Sequence, residues 1–135
     1  MAEITVNGLC YRDRRLARSK TNGGDEMTGA KLIVMYPHPA DGDQFENVYH
    51  NEHVPMAVEK LSGKTKIVAT KVLDSAQSPS RFHRIVEIHF PSMTSLKACA
   101  ASEGGQKVLA HAEAISTGGT PVVLIAEEET FNFEQ

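Results

Sequence analysis

The sequence holds two cysteines, Cys10 and Cys99, and no CxxC pair. That excludes a zinc knuckle and a thioredoxin-like redox motif. A Cys10–Cys99 disulfide is not expected in a chain of intracellular character. Cys99 lies in an Ala-rich helical stretch and reads as a small buried hydrophobe. No apolar run approaches the ~18–20 residues that span a bilayer, and the N-terminus lacks the apolar centre of a secretory signal. The Arg-rich stretch 12–20 has the look of a transit peptide, but Glu3 and Asp13 are acids that such peptides avoid. The expected location is the cytoplasm, with no membrane partner. The formal net charge is −3, so the broad basic field that nucleic acid requires is missing too. There is no GxGxxG after a strand for a dinucleotide, no CxxCH for haem, and no serine in a nucleophile elbow. No cofactor is expected.

What is present is ordinary globular material. Hydrophobic residues make up 41% and charged residues 23% of the 135-residue chain, a length typical of one domain. Such a chain buries roughly two-thirds of its unfolded surface and needs no staples. Residues 1–30 differ from the rest. A basic run there gives way to Thr21-Asn22-Gly23-Gly24-Asp25-Glu26, which is turn and linker chemistry. We read 1–30 as a flexible or docking extension, 31–129 as the domain, and 130–135 as a short tail.

Within the domain the patterning alternates between strand and helix. Lys31 to Tyr36 is a short apolar run closed by Pro37-His38-Pro39, which predicts a strand buried on both faces. Asp41-Gly42-Asp43 offers N-capping acids for a helix from Gln44 to about Asn51. Phe45, Val48 and Tyr49 give that helix one buried stripe, which Glu52, His53 and Met56 continue. Pro55 predicts a kink or break near His53, and Gly63 a stop. Lys66 to Asp74 and Arg81 to Phe90 read as two further strands. In the second, Phe82, Arg84, Val86, Ile88 and Phe90 share one face, and His83, Ile85, Glu87 and His89 the other. A second helical region runs from Ser92 to Ile115, with Ser92 or Thr94 as its cap and a break at Gly104-Gly105. Val122 to Ala126 is a fourth buried strand. The order βαββαβ is the split-βαβ pattern: an α+β, ferredoxin-like, four-stranded antiparallel sheet with two helices on one face. The other face stays bare, and packing two such sheets together in a homodimer covers it.

His53 is the leading candidate for chemistry. Phe45, Tyr49 and His53 are spaced by four and fall on nearly one helix face. An imidazole titrating near 6.5 suits proton transfer. The plainer reading is a hydrogen-bonded core histidine. Tyr49 offers a hydroxyl to a substrate carbonyl or to His53; its plainer reading is a core aromatic. Tyr36 ends the first strand and lines the same space, with Phe45, Met56 and Phe90 as further lining. His83 and His89 are about 20 Å apart along a strand, too far to share an ion, and Glu87 with His89 supplies only two ligands. No metal is expected. His50 and His111 read as surface. Arg84, odd among apolar neighbours, is expected to pair with a carboxylate such as Glu87 or Glu52, or to snorkel to the edge.

The strand Lys31-Leu32-Ile33-Val34-Met35-Tyr36-Pro37 and the spacing F-x3-Y-x3-H-x-P over Phe45, Tyr49, His53 and Pro55 resemble the EthD-like family. Leu61-Ser62-Gly63, Phe90 and Ser102-Glu103-Gly104-Gly105 are similar as well. The resemblance covers residues 31–128. It implies a dimeric α+β barrel. It also implies a role near the bacterial breakdown of a fuel ether, where the namesake works beside a cytochrome P450 system. Relatives of that architecture include cofactor-free monooxygenases, muconolactone isomerases and polyketide cyclases. Some members carry the label "reductase", which nothing in this sequence supports. Two functions follow as expectations. One is an enzyme performing cofactor-free proton transfer or oxygenation on a small hydrophobic, aromatic or ether-type compound, with His53 as base and Tyr49 beside it. The other is a non-enzymatic ligand-binding or accessory protein of a P450-type system. Titratable groups converging on His53 favour the first, and a His53 tied to backbone favours the second.

Overall fold

The computed structural model describes residues 29–76 and 80–133. The N-terminal extension as far as residue 28, Cys10 included, lies outside them. Four strands form one antiparallel sheet: β1 (Gly29–Pro37), β2 (Lys66–Lys71), β3 (Phe82–Phe90) and β4 (Val122–Glu128), in the order β2-β3-β1-β4. This is the ferredoxin-like α+β arrangement expected from the patterning.

Burial along β1 alternates residue by residue. Ala30, Leu32, Val34 and Tyr36 point into the core, while Lys31, Ile33 and Met35 are only half-buried. This corrects the expectation of a strand buried on both faces, and β4 needs the same correction, since Leu124 is exposed. The apolar residues on the second face are there, but among the described residues no layer covers them. The pairing register sets Ile33 beside Glu87 and Leu124, and Met35 beside Ile85 and Val122. Beyond Lys31 the same face turns polar, where Glu87 sits 3.4 Å from Lys31 and 3.3 Å from His89, and Glu128 lies 3.2 Å from His89.

The first helical segment is continuous but not uniform. Asp41 caps α1 (Gly42–Val48) by accepting from the Gln44 amide at 3.1 Å. A π turn spans Tyr49–His53, and α2 (Val54–Lys60) follows. Pro55 explains the junction. It has no N–H to donate and its ring clashes with the preceding turn, so the backbone ahead of it widens instead of breaking. The Val54 amide accordingly donates five residues back, to the Tyr49 carbonyl.

The second helical region divides into α3 (Met93–Ala101) and α4 (Glu103–Ile115). The break is at Ser102, not at Gly104-Gly105. Ser102 turns extended, donates its hydroxyl to the Cys99 carbonyl at 2.6 Å, and accepts the Gly105 amide at 2.9 Å as the cap of α4. The glycines permit close approach. A Cβ on Gly105 would stand 2.0 Å from the Cys99 carbonyl oxygen, and one on Gly104 would stand 2.5 Å from that of Lys60. Cys99 is a free, buried thiol. No helix among the described residues is long and apolar enough to cross a membrane.

Candidate functional site at the π turn

Four rings form a column along the inner face of the first helical segment. Phe45 stacks on Tyr49 (5.8 Å between centroids), Tyr49 on His53 (5.9 Å) and His53 on His111 of α4 (5.1 Å). The π turn is what aligns the first three. Four residues of α-helix overshoot a full turn by about 40°, so Tyr49 is displaced from Phe45. Four residues of the wider π turn, with its i→i+5 bonding, undershoot by about 30° and bring His53 back into line. Tyr36, from β1, meets Phe45, Tyr49 and His53 edge-on at 5.2, 6.1 and 6.4 Å.

His53 is buried, and both of its ring nitrogens face titratable side chains. Nε2 lies 3.3 Å from the Tyr36 hydroxyl, and Nδ1 lies 2.8 Å from Nδ1 of His111. Nε2 of His111 is 3.9 Å from a Glu52 carboxylate oxygen, an ion-pair distance and not a hydrogen bond. Burial, and after it the neighbouring His111, lowers the His53 imidazole to about 4. Burial, with Tyr49 adding, raises the Tyr36 hydroxyl above its ordinary value. At neutral pH the inner pair is therefore a neutral imidazole and a protonated phenol.

Tyr49 also meets a second polar group. Its ring carries the Arg84 guanidinium at 4.9 Å. Arg84 donates from Nη2 and Nε to the two carboxylate oxygens of Glu46, at 2.6 and 3.2 Å, and His83 Nε2 lies 2.8 Å from the same carboxylate. The expected partners Glu87 and Glu52 are thus corrected to Glu46. The Arg84 hydrogen bond, helped by His83 and opposed by burial, lowers the Glu46 carboxyl to about 2. Among the described residues the Tyr49 hydroxyl makes no hydrogen bond, although Tyr49 is buried. Burial raises its pKa, with Glu46 adding and Arg84 opposing.

The column borders a small cavity of about 30 Å³ between sheet and helices, room for one or two waters. Tyr36, Tyr49 and His53 give it one polar end, and Leu32, Val86 and Val108 are among its apolar walls. Phe90 also lines it, but Phe90 pairs with Ala30, six residues and about 20 Å of strand from Tyr36. Phe45 stands behind Tyr49 and does not line the cavity. Met56 is half-buried against the core and does not reach it. His50 is exposed, as expected. His111 is not a surface residue, and its side chain is only 21% exposed. Its position three after Val108 and four before Ile115, both buried, was the signal that it flanks the core stripe. Among the described residues no three His, Cys, Asp or Glu side chains are placed to hold a metal ion.

The model of the EthD domain matches residues 37–116, a span that contains the π turn, His53 and His111. The chain belongs to the EthD family. An EthD-family protein of Bacillus halodurans has a solved structure with 25% identity and a TM-score of 0.68, covering 74% of this chain and 98% of its own. An uncharacterised 11.0 kDa protein from the thcB–thcC intergenic region of Rhodococcus erythropolis is 27% identical over 100 residues, covering 74% of this EthD-family chain and 95% of its own length. More distant structures share the fold alone. The hydroxynitrile lyase of Passiflora edulis is 16% identical with a TM-score of 0.58, covering 77% of this chain and 97% of its own. A dimeric ferredoxin-like protein of unknown function from Jannaschia is 17% identical with a TM-score of 0.53, covering 73% and 97%.

Proposed function

We propose that this EthD-family protein is a homodimer that performs cofactor-free proton transfer on a small, mostly apolar, oxygen-bearing compound, with His53 as general base. The observation that carries the reading is the pair of side-chain contacts on His53, to Tyr36 and His111, with neither ring nitrogen held by backbone. Tyr36 stays protonated and so donates to a substrate oxygen. Tyr49 supplies a second hydroxyl. A base lowered to about 4 suits an activated substrate, whose developing negative charge offsets the cost of a buried imidazolium. The hydroxynitrile lyase among the neighbours in fold is consistent with this reading and does not select the reaction.

The half-buried sheet face supports the homodimer, as does the dimeric neighbour from Jannaschia. Face-to-face packing should bury at least ~1,200–2,000 Å². A monomer in light scattering at micromolar concentration would contradict it. We take residues 31–129 as the functional unit, so deletion of residues 1–26 is expected to leave the melting temperature unchanged.

The size of the cavity favours a second reading, a non-enzymatic binding or accessory protein of an oxidoreductase system. Space of about 30 Å³ admits no ring-sized ligand until α1, the π turn and α2 move outward. Native mass spectrometry after exposure to crude cell extract tests both. The enzyme reading expects a retained compound that the wild type converts and His53→Asn does not. A compound held unchanged by both proteins establishes the accessory reading.

A further inference from the structure

His53 alone is an awkward base, because the charge it would acquire is buried. The contact between the two Nδ1 atoms offers an outlet. We propose that His111 is a proton-relay residue, taking the Nδ1 proton of His53 as Nε2 of His53 takes the substrate proton, so that the positive charge comes to rest beside Glu52. This deepens the general-base reading and rests on it.

The polarity of the chain follows from its outer end. An ionised carboxylate only accepts hydrogen bonds. Glu52, its side chain 63% exposed and 3.9 Å from His111 Nε2, lies beyond hydrogen-bond reach and favours a proton on that nitrogen through its charge. Neutral His111 then has its lone pair at Nδ1. At 2.8 Å that lone pair must accept a hydrogen bond, so His53 carries its proton on Nδ1. The lone pair of His53 is left at Nε2, where the Tyr36 hydroxyl donates to it at a loose 3.3 Å. A substrate oxygen that accepts the Tyr36 hydrogen bond in its place frees Nε2 to act. The titratable groups facing the pair are Tyr36 from β1, Tyr49 from the π turn itself, and Glu52 from the same turn.

The steps balance. The substrate bond to hydrogen breaks, its electron pair stays on the substrate, and the proton goes to His53 Nε2. The Nδ1 proton of His53 moves to His111 Nδ1. His53 is neutral again, and His111 becomes an imidazolium facing Glu52. Running the two transfers backward returns a proton to the substrate from the same Nε2, with no ring rotation and no redox partner. The device fits reactions that remove a proton and restore it at another atom of the same molecule, such as an isomerisation or a ring closure.

Nitrogen NMR of the full chain labelled with ¹⁵N-histidine tests this without any substrate. The relay expects, at neutral pH, His53 protonated on Nδ1 and a scalar coupling across the hydrogen bond to His111 Nδ1. Glu52→Gln should move part of the His111 proton from Nε2 to Nδ1 and weaken that coupling. His111→Asn, whose amide oxygen can accept from His53 but carries no proton, should keep the fold. It should slow exchange of the His53 ring proton with solvent at least about tenfold. A His53 proton on Nε2, an absent coupling, a coupling unchanged in Glu52→Gln, or unchanged exchange in His111→Asn would each overturn the relay. The base assignment itself is tested separately, by the His53→Asn turnover.

Discussion

Two polar clusters touch the ring of Tyr49, and they solve the problem of burial in opposite ways. In one, Arg84 is bound by both oxygens of Glu46, with His83 on the same carboxylate. Every charge there has a partner, so a proton has nowhere useful to go, and the carboxyl is held down at about 2. In the other, Tyr36, His53 and His111 are linked through neutral rings and a phenol. No full charge is buried, and each link can donate or accept. The charged cluster fixes a position, and the neutral one can change state. That difference, more than burial itself, separates a structural histidine such as His83 from a candidate base such as His53.

The sharpest way to break the comparison is to remove one histidine from each side. His53→Asn is expected to keep the fold and the dimer while turnover falls ~10²–10⁴-fold, since Asn retains hydrogen bonding but takes up no proton. His83→Asn should leave turnover close to wild type. Equal losses in the two variants would erase the distinction.

Stability should show the reverse asymmetry. Glu46→Ala leaves a buried guanidinium unpaired and is expected to cost about 3 kcal/mol in chemical denaturation. Replacing both partners, Glu46→Leu with Arg84→Met, should recover most of that loss. A Glu46→Ala protein as stable as the wild type would show that Arg84 finds water instead.

The pH dependence separates the clusters along a second axis. The ordinary histidine value is 6.5, and folding lowers His53 to about 4. Between those values the unfolded chain binds a proton that the folded chain refuses. Stability therefore falls as pH drops through this window, by about 3 kcal/mol in all. Glu46, lowered from 4.5 to about 2, contributes stability that is present above 4.5 and lost as pH falls toward 2. His53→Asn should flatten the upper window and leave the lower one. A wild-type stability that is level between pH 6.5 and 4 would contradict the first assignment.

The smallest effects belong to the tyrosines. Tyr36→Phe loses the hydrogen bond to His53 and should cost about 1 kcal/mol. Tyr49→Phe removes a buried hydroxyl with no hydrogen bond among the described residues, and is expected to be neutral or slightly stabilising while weakening any ligand. A larger loss in Tyr49→Phe than in Tyr36→Phe would reverse that order.

Local pattern carried the reading of the strands, the caps at Asp41 and Ser92, and the disturbance ahead of Pro55, because each depends on neighbours a few residues away. Contacts between distant segments were harder. Arg84 meets Glu46 across 38 positions, and nothing in either sequence neighbourhood names the other. Register explains it afterwards, since Arg84 pairs with Tyr36 and so comes to rest under α1. His111 was misread for a related reason. A histidine at the margin of an apolar stripe looks like surface until the opposing helix supplies a ring to stack upon. The two faces of β1 could not be told apart from composition either, because an apolar residue left half-buried on a sheet face looks the same in sequence as one buried in the core.

The π turn also sets a length. It holds one residue more than an α turn would over the same rise. Deleting any one of His50, Asn51 or Glu52 would let the helix rewind to the tighter form. Everything downstream would then keep its rise and turn by only about 30°, because three residues of α-helix sweep about 300° where four of the π turn sweep about 330°, so Ala57 and Leu61 would stay on the core they now bury against. That surplus residue works like a shim taken up within a single turn: the segments on either side keep their places, and the change falls on the Val54–Tyr49 bond and the stacking of Tyr49 on His53. A homologue whose helix is one residue shorter at this point should therefore be aligned with a gap inside the turn, and would be expected to keep the residue aligned with His53 facing the cavity.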